Sequence, residues 1–449
     1  MDSRAARGLL GTRMSLGSQQ LANRILLGVG VGAVAGAVVV GLGGWFPGLL
    51  GASQAVATEV FDPLGQVFLR MLFFVVMPLV FTSLAAGVVQ LGRLDRLGPL
   101  AGRTFFLFFL NMVIGVGLGL VMMHLLQPGN RLAPDDQARL LAEYGGSAQQ
   151  AIAAQAAQPT LTLATVVDMF MPRNLLGAVT GTSRVTLGEV LPLILFALLV
   201  GAAGTTLAPE RRERLMELLG LVSDLMTGIV HFALRLAPYA VPAMIFSVVV
   251  KVGVGVLLSL LVFVLGCVAV MALHLFGTMS LFLTLGARRS PRVFFRTISD
   301  VLITAFSTSS SNATLPASLA AAKERLNVSP GVAGFVLPLG TTLNMSGTAL
   351  FEGCVVLFVA QVYGVDLSLA QQGMLLLLSV LSAVAVAGIP GGSLPLIAGL
   401  LATFHVPPEG IGIILGVDRI LDMCRTTVNV GCDLVTTVVV DAWTDTRVE

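Results

Sequence analysis

Asp418, Asp422, Arg425, Thr426, Asn429 and Asp433 lie in a segment that is otherwise apolar over 409–441. Charged groups on a stretch able to cross a bilayer are costly, and their default reading is a functional site. From Asp422, the spacing to Arg425, Thr426, Asn429 and Asp433 runs i, i+3, i+4, i+7, i+11, which puts these side chains along one face of a helix. The stripe offers a cation, two anions and neutral hydrogen-bonding groups. Such a set can hold a zwitterion with an extra carboxylate, plus counter-cations. The alternative is a set of buried ion pairs that only fastens helices together.

A site of that kind needs irregular backbone beside it, and three stretches supply it. Ser307-Thr-Ser-Ser-Ser-Asn-Ala-Thr-Leu-Pro316 lies between two apolar arms. Gly340-Thr-Thr-Leu-Asn-Met-Ser-Gly-Thr348 interrupts an otherwise continuous apolar span. Ala387-Gly-Ile-Pro-Gly-Gly-Ser393 forms the tip of a second apolar pair of arms, about 366–404. Non-helical backbone at membrane depth is tolerated only where it is buried in protein or lines a cavity. Two hairpin tips and a broken helix therefore predict a midplane site, with carbonyls available to cations and helix N-termini to anions. Hairpins entering from opposite sides also fit inverted repeats.

Composition sets the solvent. The 449 residues are 56% hydrophobic and 11% charged, with a mean hydropathy of +0.93; an ordinary soluble domain has about 25% charged residues. The length allows roughly eight to ten spans of about 20 residues. A net charge of +2 indicates no nucleic-acid partner. Cys267, Cys354, Cys424 and Cys432 sit in apolar segments without metal-ligand spacing, so neither a disulfide framework nor a zinc site is expected.

Arginines set the orientation. The N-terminal Arg4, Arg7, Arg13 and Arg24, the Arg93/Arg96/Arg103 turn, the Arg211/Arg212/Arg214 turn and the Arg288/Arg289/Arg292/Arg296 turn alternate with loops almost free of Lys and Arg. The positive-inside rule makes all four cytoplasmic. The N-terminus leads into a long first span without a small-residue cleavage site and is expected to be a retained anchor. The polar stretch 128–160 is expected to be an external loop without chemistry.

Taken together, these motifs resemble the dicarboxylate/amino acid:cation symporter family, the glutamate/aspartate transporters. The serine-rich tip, the break Asn344-Met-Ser-Gly-Thr348, the Ala387-Gly-Ile-Pro-Gly391 tip and the Asp422-x-x-Arg-Thr-x-x-Asn-x-x-x-Asp433 helix occur in family order, and Arg70-Met-Leu-Phe-Phe-Val-Val-Met-Pro-Leu-Val-Phe81 extends the match to the second span. The resemblance implies an all-α membrane protein of eight transmembrane helices and two re-entrant helical hairpins with inverted repeats, assembled as a homotrimer and working as an elevator. Residues 1–21 would be a cytoplasmic segment. Residues 22–248 would be mostly scaffold, with the third span belonging to the moving core. Residues 249–445 would form that core, with hairpins at about 291–326 and 366–404.

The resemblance also implies roles. Arg425 would pair with a side-chain carboxylate of the substrate, a task suited to a planar guanidinium. Asp422 would take the ammonium with support from Thr426. Asn429 with Ser310 and Ser311 would hold the main-chain carboxylate, Thr348 would contact the distal one, and Ile389, Pro390 and Gly391 would close over the ligand. Gly340, Asn344, Asn429 and Asp433 resemble one sodium site; Thr342, Met345, Ala383, Val384 and Val386 resemble a second. The substrate class follows from having both Asp422 and Arg425. Dicarboxylate members lack the acid at the ammonium position and neutral amino-acid members lack the arginine, so an acidic amino acid is expected. No organic cofactor is implied, only Na+ or H+ as coupling ions.

Four positions depart from the family pattern for a third sodium. Ser346 replaces an acid, and Phe108, Asn111 and Met112 stand where sodium-coupled members have Tyr, Thr and Ser. A hard cation wants oxygen ligands, so this third site is expected to be degenerate. Glu352, one turn past Thr348, falls where proton-coupled animal relatives carry their proton, and is the proton-carrier candidate. A second arginine common in relatives is absent, with Ser309 and Met423 at its two usual positions, which should leave Asp418 and Asp422 less neutralised. His124, His231, His274 and His405 lie outside the motifs and are expected in loops, interfaces or packing.

Competing readings are a C4-dicarboxylate or neutral amino-acid symporter, a transporter that also conducts anions, and a membrane enzyme. The last has no base beside Ser310 or Ser311. Without a signal peptide or large external domains, a bacterial inner membrane with both termini cytoplasmic is expected.

Overall fold

The computed structural model describes residues 27–91, 98–133, 190–386, 393–407 and 410–444, with a few isolated positions between them. Segment 1–21, most of the expected outer loop 128–160, and Ile389, Pro390 and Gly391 of the second tip lie outside the described residues. Among the described residues the chain is all helical, without strands. In chain order the helices are α1 (Leu27–Gly43), α2 (Pro47–Val56), α3 (Asp62–Phe73), α4 (Val76–Leu91), α5 (Gly98–Leu126), α6 (Val190–Thr205), α7 (Pro209–Val252), α8 (Gly255–Ala272) and α9 (Met279–Gly286). There follow α10 (Pro291–Thr297), α11 (Ser299–Thr308), α12 (Ser311–Ala320), α13 (Pro330–Leu343), α14 (Ser346–Val362), α15 (Leu369–Ala385), α16 (Leu394–Thr403) and α17 (Ile411–Thr444).

Among the described residues, four stretches are long and apolar enough to cross a membrane: Pro99–Arg131, Arg235–Val252, Gly255–Gly286 and Pro330–Val362. Shorter apolar helices accompany them at Leu27–Gly43, Met77–Val89, Leu195–Thr205 and Leu369–Val384. At 34 residues α17 spans about 50 Å, well beyond the hydrocarbon core, and differs from the others in its charged stripe. The outer faces of α5 (Phe106, Phe109, Val121, Leu125) and α8 (Leu258, Leu261, Leu265) are exposed and apolar, as a lipid-facing surface requires.

Inward, α17 is the hub. It packs against α5, α7, α8, α9, α11, α13 and α14. Every residue of α14 is buried, which explains how a helix can be apolar on all sides yet carry Thr348 and Glu352 without meeting lipid. Hydrogen bonds at the end of the third span fix its register on α14. Gly129 donates its backbone N–H to Gln361 Oε1 (3.2 Å), Gln361 Nε2 donates to the Met123 carbonyl (3.2 Å), and Ser259 Oγ donates to the Pro128 carbonyl (2.6 Å). The early helices pack through small residues, as membrane helices do: Gly201 and Gly204 of α6 lie against Val88 and Val89 of α4. Lys251 of α7 pairs with Asp62 of α3 at 2.6 Å, and Ser247 donates to the same carboxylate.

Helices stand at the positions expected for the two hairpins, three for the first and two for the second, whose tip lies outside the described residues. Pro291–Thr297, Ser299–Thr308 and Ser311–Ala320 make the first, with Ser309 and Ser310 as its turn. Leu369–Ala385 and Leu394–Thr403 make the arms of the second.

Candidate functional site

The break between α13 and α14 falls at Asn344 and Met345, within the Gly340–Thr348 stretch. Pro338 sits inside the last turns of α13, and Thr341 and Thr342 donate their hydroxyls to the Pro338 and Leu339 carbonyls. Asn344 (φ −120°, ψ 56°) and Met345 (φ −87°, ψ 60°) leave the helical region. The first N–H groups of α14 therefore have no intrahelical partner. One of them finds its acceptor on the polar stripe: Gly347 N–H donates to Asn429 Oδ1 at 2.8 Å, while Asn429 Nδ2 donates to Thr348 Oγ1 at 3.2 Å. Gly347 is required there, since a Cβ would stand 2.6 Å from the Arg425 carbonyl and 2.9 Å from Val428 Cβ.

One turn up the stripe, Arg425 is nearly fully buried, at 2% exposure. Its Nη2 reaches Asp422 Oδ1 at 2.6 Å and its Nη1 reaches Asp418 Oδ1 at 3.1 Å, while the guanidinium lies 4.4 Å over the Phe351 ring of α14. Charge-assisted bonds and a cation–π contact together position a buried cation whose partners are two carboxylates of its own helix. Thr426 spends its hydroxyl on the Asp422 carbonyl (2.9 Å). The cations that Asp418 and Asp422 meet come from α17 itself. Arg425 bridges both, and Arg419, which the motif comparison passes over, lies 3.5 Å from Asp422 Oδ2.

At the first tip, Ser309 adopts a left-handed conformation (φ 49°) that ends α11. Ser310 caps α12 by accepting from Ala313 N–H at 3.2 Å, and Ser311 is buried at the first position of α12. Helix α12 packs on both α13 and α17.

Deeper along α17, Asp433 is buried and accepts from Asn344 Nδ2 at 2.9 Å. Gly340 lies so close to this carboxylate that a Cβ would be 2.4 Å from Oδ1. Asp433, Asn344 and Gly340 are thus brought together. Of the second sodium set, Met345 and Ala383 are buried at the facing ends of α13–α14 and α15, and Leu343 and Val384 both touch Gly87 of α4. Thr342 and Val386 lie in the same two helix ends.

The four positions of the altered third set lie on two helices that pack together, α5 and α14. Phe108, Asn111 and Met112 are buried on α5, and Ser346 is buried at the start of α14. Asn111 Nδ2 donates to Asn344 Oδ1 at 2.9 Å, and Asn111 Oδ1 faces His274 Nε2 at 2.8 Å. His274 is thus an interface residue between α5 and the turn after α8, and it joins the same polar network as Asp433. Among the other histidines, His124 pairs with Gln372 Oε1 at 2.7 Å. Glu352 is fully buried, with Ser382 of α15 and Arg425 as its polar neighbours. Neither carboxylate oxygen has a hydrogen-bond partner among the described residues.

A buried arginine between two acids, a helix break and a further buried acid thus meet on α17 and the helices packed against it. The sodium:dicarboxylate symporter family model matches residues 21–443, and the chain belongs to that family. It is 29% identical to the proton/sodium-glutamate symport protein of Geobacillus stearothermophilus over 94% of each chain. It is 29% identical to the proton/glutamate-aspartate symporter of Escherichia coli K12 over 86% of each. With the C4-dicarboxylate transport protein of Burkholderia lata it shares 32% identity over 91% of this chain and 90% of the other.

Proposed function

We propose that this chain is a secondary symporter of acidic amino acids, glutamate and aspartate, driven by protons, sodium or both. The observation that carries this reading is the Asp422–Arg425 pair, 2.6 Å apart on one buried helix face. A substrate with one ammonium and a second carboxylate can take over both partners at once: its side-chain carboxylate displaces the acids from Arg425, and its ammonium takes Asp422. A C4-dicarboxylate would engage Arg425 and leave Asp422 facing an anion. A neutral amino acid would leave a buried guanidinium without its carboxylate, at a cost of several kcal/mol. The dicarboxylate reading has the Burkholderia lata relative in its favour; the presence of Asp422 weighs against it.

The remaining roles complete the same reading. Asn429 and Thr348, already joined across the α14–α17 crossing, together with Ser310 and Ser311, hold the substrate carboxylates, and Thr426 supports Asp422. Ile389, Pro390 and Gly391 form the gate. Gly340, Asn344, Asn429 and Asp433 take one sodium; Thr342, Met345, Ala383, Val384 and Val386 take a second. Glu352 carries the proton, a role that fits its full burial and unpartnered oxygens. The chain works as a homotrimer of eight-span subunits in the inner membrane with both termini cytoplasmic. In each subunit the third span and residues 249–445 move as an elevator against the remaining early spans.

The test is uptake of labelled aspartate and glutamate into liposomes with sodium and pH gradients imposed independently. Uptake driven by either gradient supports symport. Substrate-independent conductance without amino-acid counterflow contradicts it.

A further inference from the structure

His274 and Asn111 have no place in the roles above, yet both are buried and lie in line with Asp433. Helix α8 runs into a π-helical turn, Leu273–Thr278, of the kind that often marks functional positions. Leu273 and Phe276 face outward there, while His274 is fully buried. On α5, Gly115 makes room for the imidazole: a Cβ at that position would be 3.2 Å from His274 Nε2.

Donor and acceptor chemistry gives the connected groups one direction. Asn344 presents Nδ2–H to Asp433 Oδ1, which accepts it (2.9 Å), and turns its own Oδ1 toward α5. Asn111 must then present Nδ2–H to that oxygen (2.9 Å) and turn its own Oδ1 toward α8, where His274 must donate through Nε2–H (2.8 Å). Every N–H in the series points toward Asp433. Hydrogen bonds in such a series polarise one another and strengthen the last member. That last N–H competes with a cation for the Asp433 carboxylate, and a cation that also used Asn344 Oδ1 would have to turn Asn344 around.

We propose that His274 is a positioning residue for the cation site. Through Asn111 it holds the Asn344 amide N–H on Asp433, and so sets how much sodium is needed to displace it. The inference rests on the reading of Asp433 as a sodium ligand.

The test measures half-saturating sodium for labelled aspartate uptake in liposomes, together with the sodium-dependent rise in unfolding temperature of the purified full chain. Removing the donor in His274→Leu weakens the competitor, so half-saturating sodium falls by about fivefold, the worth of one hydrogen bond, with a smaller change in maximal rate. His274→Gln keeps an N–H of similar reach and stays within about twofold of the parent, well inside one hydrogen bond. Should His274→Leu fail to fold, Gly115→Ala displaces the ring without altering its chemistry and should shift sodium in the same direction. Asp433→Asn separates the two readings. If it removes the sodium response while His274→Leu leaves half-saturating sodium unchanged or raised, the positioning role is overturned and the cation site stands. If the sodium response survives Asp433→Asn, the cation site itself is overturned, and the role of His274 with it.

Discussion

Arg425 Nη2 lies 2.6 Å from Asp422 Oδ1, one helical turn apart on α17 and sealed beneath Phe351. A buried charge pair of this kind adds little net stability, because desolvation of both ions offsets their attraction. Under the proposed function its value lies in exchange: both charges trade each other for an external zwitterion, with Asp418 as Arg425's other partner at 3.1 Å.

Arg425→Cys should abolish aspartate and glutamate uptake and admit small neutral amino acids such as serine or cysteine. Transport assays with each labelled substrate check it; undiminished acidic uptake by the variant would sink the assignment.

Asp422→Asn removes the acid proposed for the ammonium while leaving Arg425 in place. A charge-assisted hydrogen bond is worth about 1.5–3 kcal/mol, so the KM for aspartate should rise roughly tenfold to a hundredfold. Succinate, which has no ammonium, should gain relative to aspartate. Equal losses for the two compounds would argue that Asp422 acts only through Arg425.

Gly347→Val tests the α14–α17 crossing. Its side chain would be forced against the Arg425 carbonyl and Val428, and overpacking costs about 1–3 kcal/mol. A lowered unfolding temperature with reduced uptake is expected. An unchanged unfolding temperature would mean that the two helices do not approach as closely as described.

Glu352→Gln keeps size and burial but removes the titrating group. Acidic amino-acid exchange should persist while the pH dependence of net uptake flattens, measured as initial rate across a pH series with sodium held constant. A pH profile that keeps its shape would remove Glu352 as proton carrier.

Much of the site was legible in the sequence because charge is so costly in an apolar segment. The i, i+3, i+4, i+7, i+11 spacing placed Asp422 to Asp433 on one face, and that face meets the α14 N-terminus through Asn429. The serine-rich tip and the break at Asn344 were legible because their residue types interrupt helices. Three relationships were not. Asp418 shares Arg425 with Asp422, which depends on side-chain rotamers rather than spacing. Arg419 approaches Asp422 from the flank of the stripe, at a position with no motif to flag it. His274 meets Asn111 across 163 positions of sequence, and only the π turn on α8, invisible in hydropathy, aims it inward. The seal over Arg425 was also hidden, since Phe351 looks like any other apolar residue in an apolar helix.

The most direct test of acidic amino-acid symport is counterflow in liposomes preloaded with unlabelled compounds and supplied with trace labelled aspartate. Internal aspartate or glutamate should drive accumulation of label, internal succinate or serine should not, and Arg425→Cys should abolish the aspartate response. Accumulation driven by succinate as strongly as by aspartate would contradict the account.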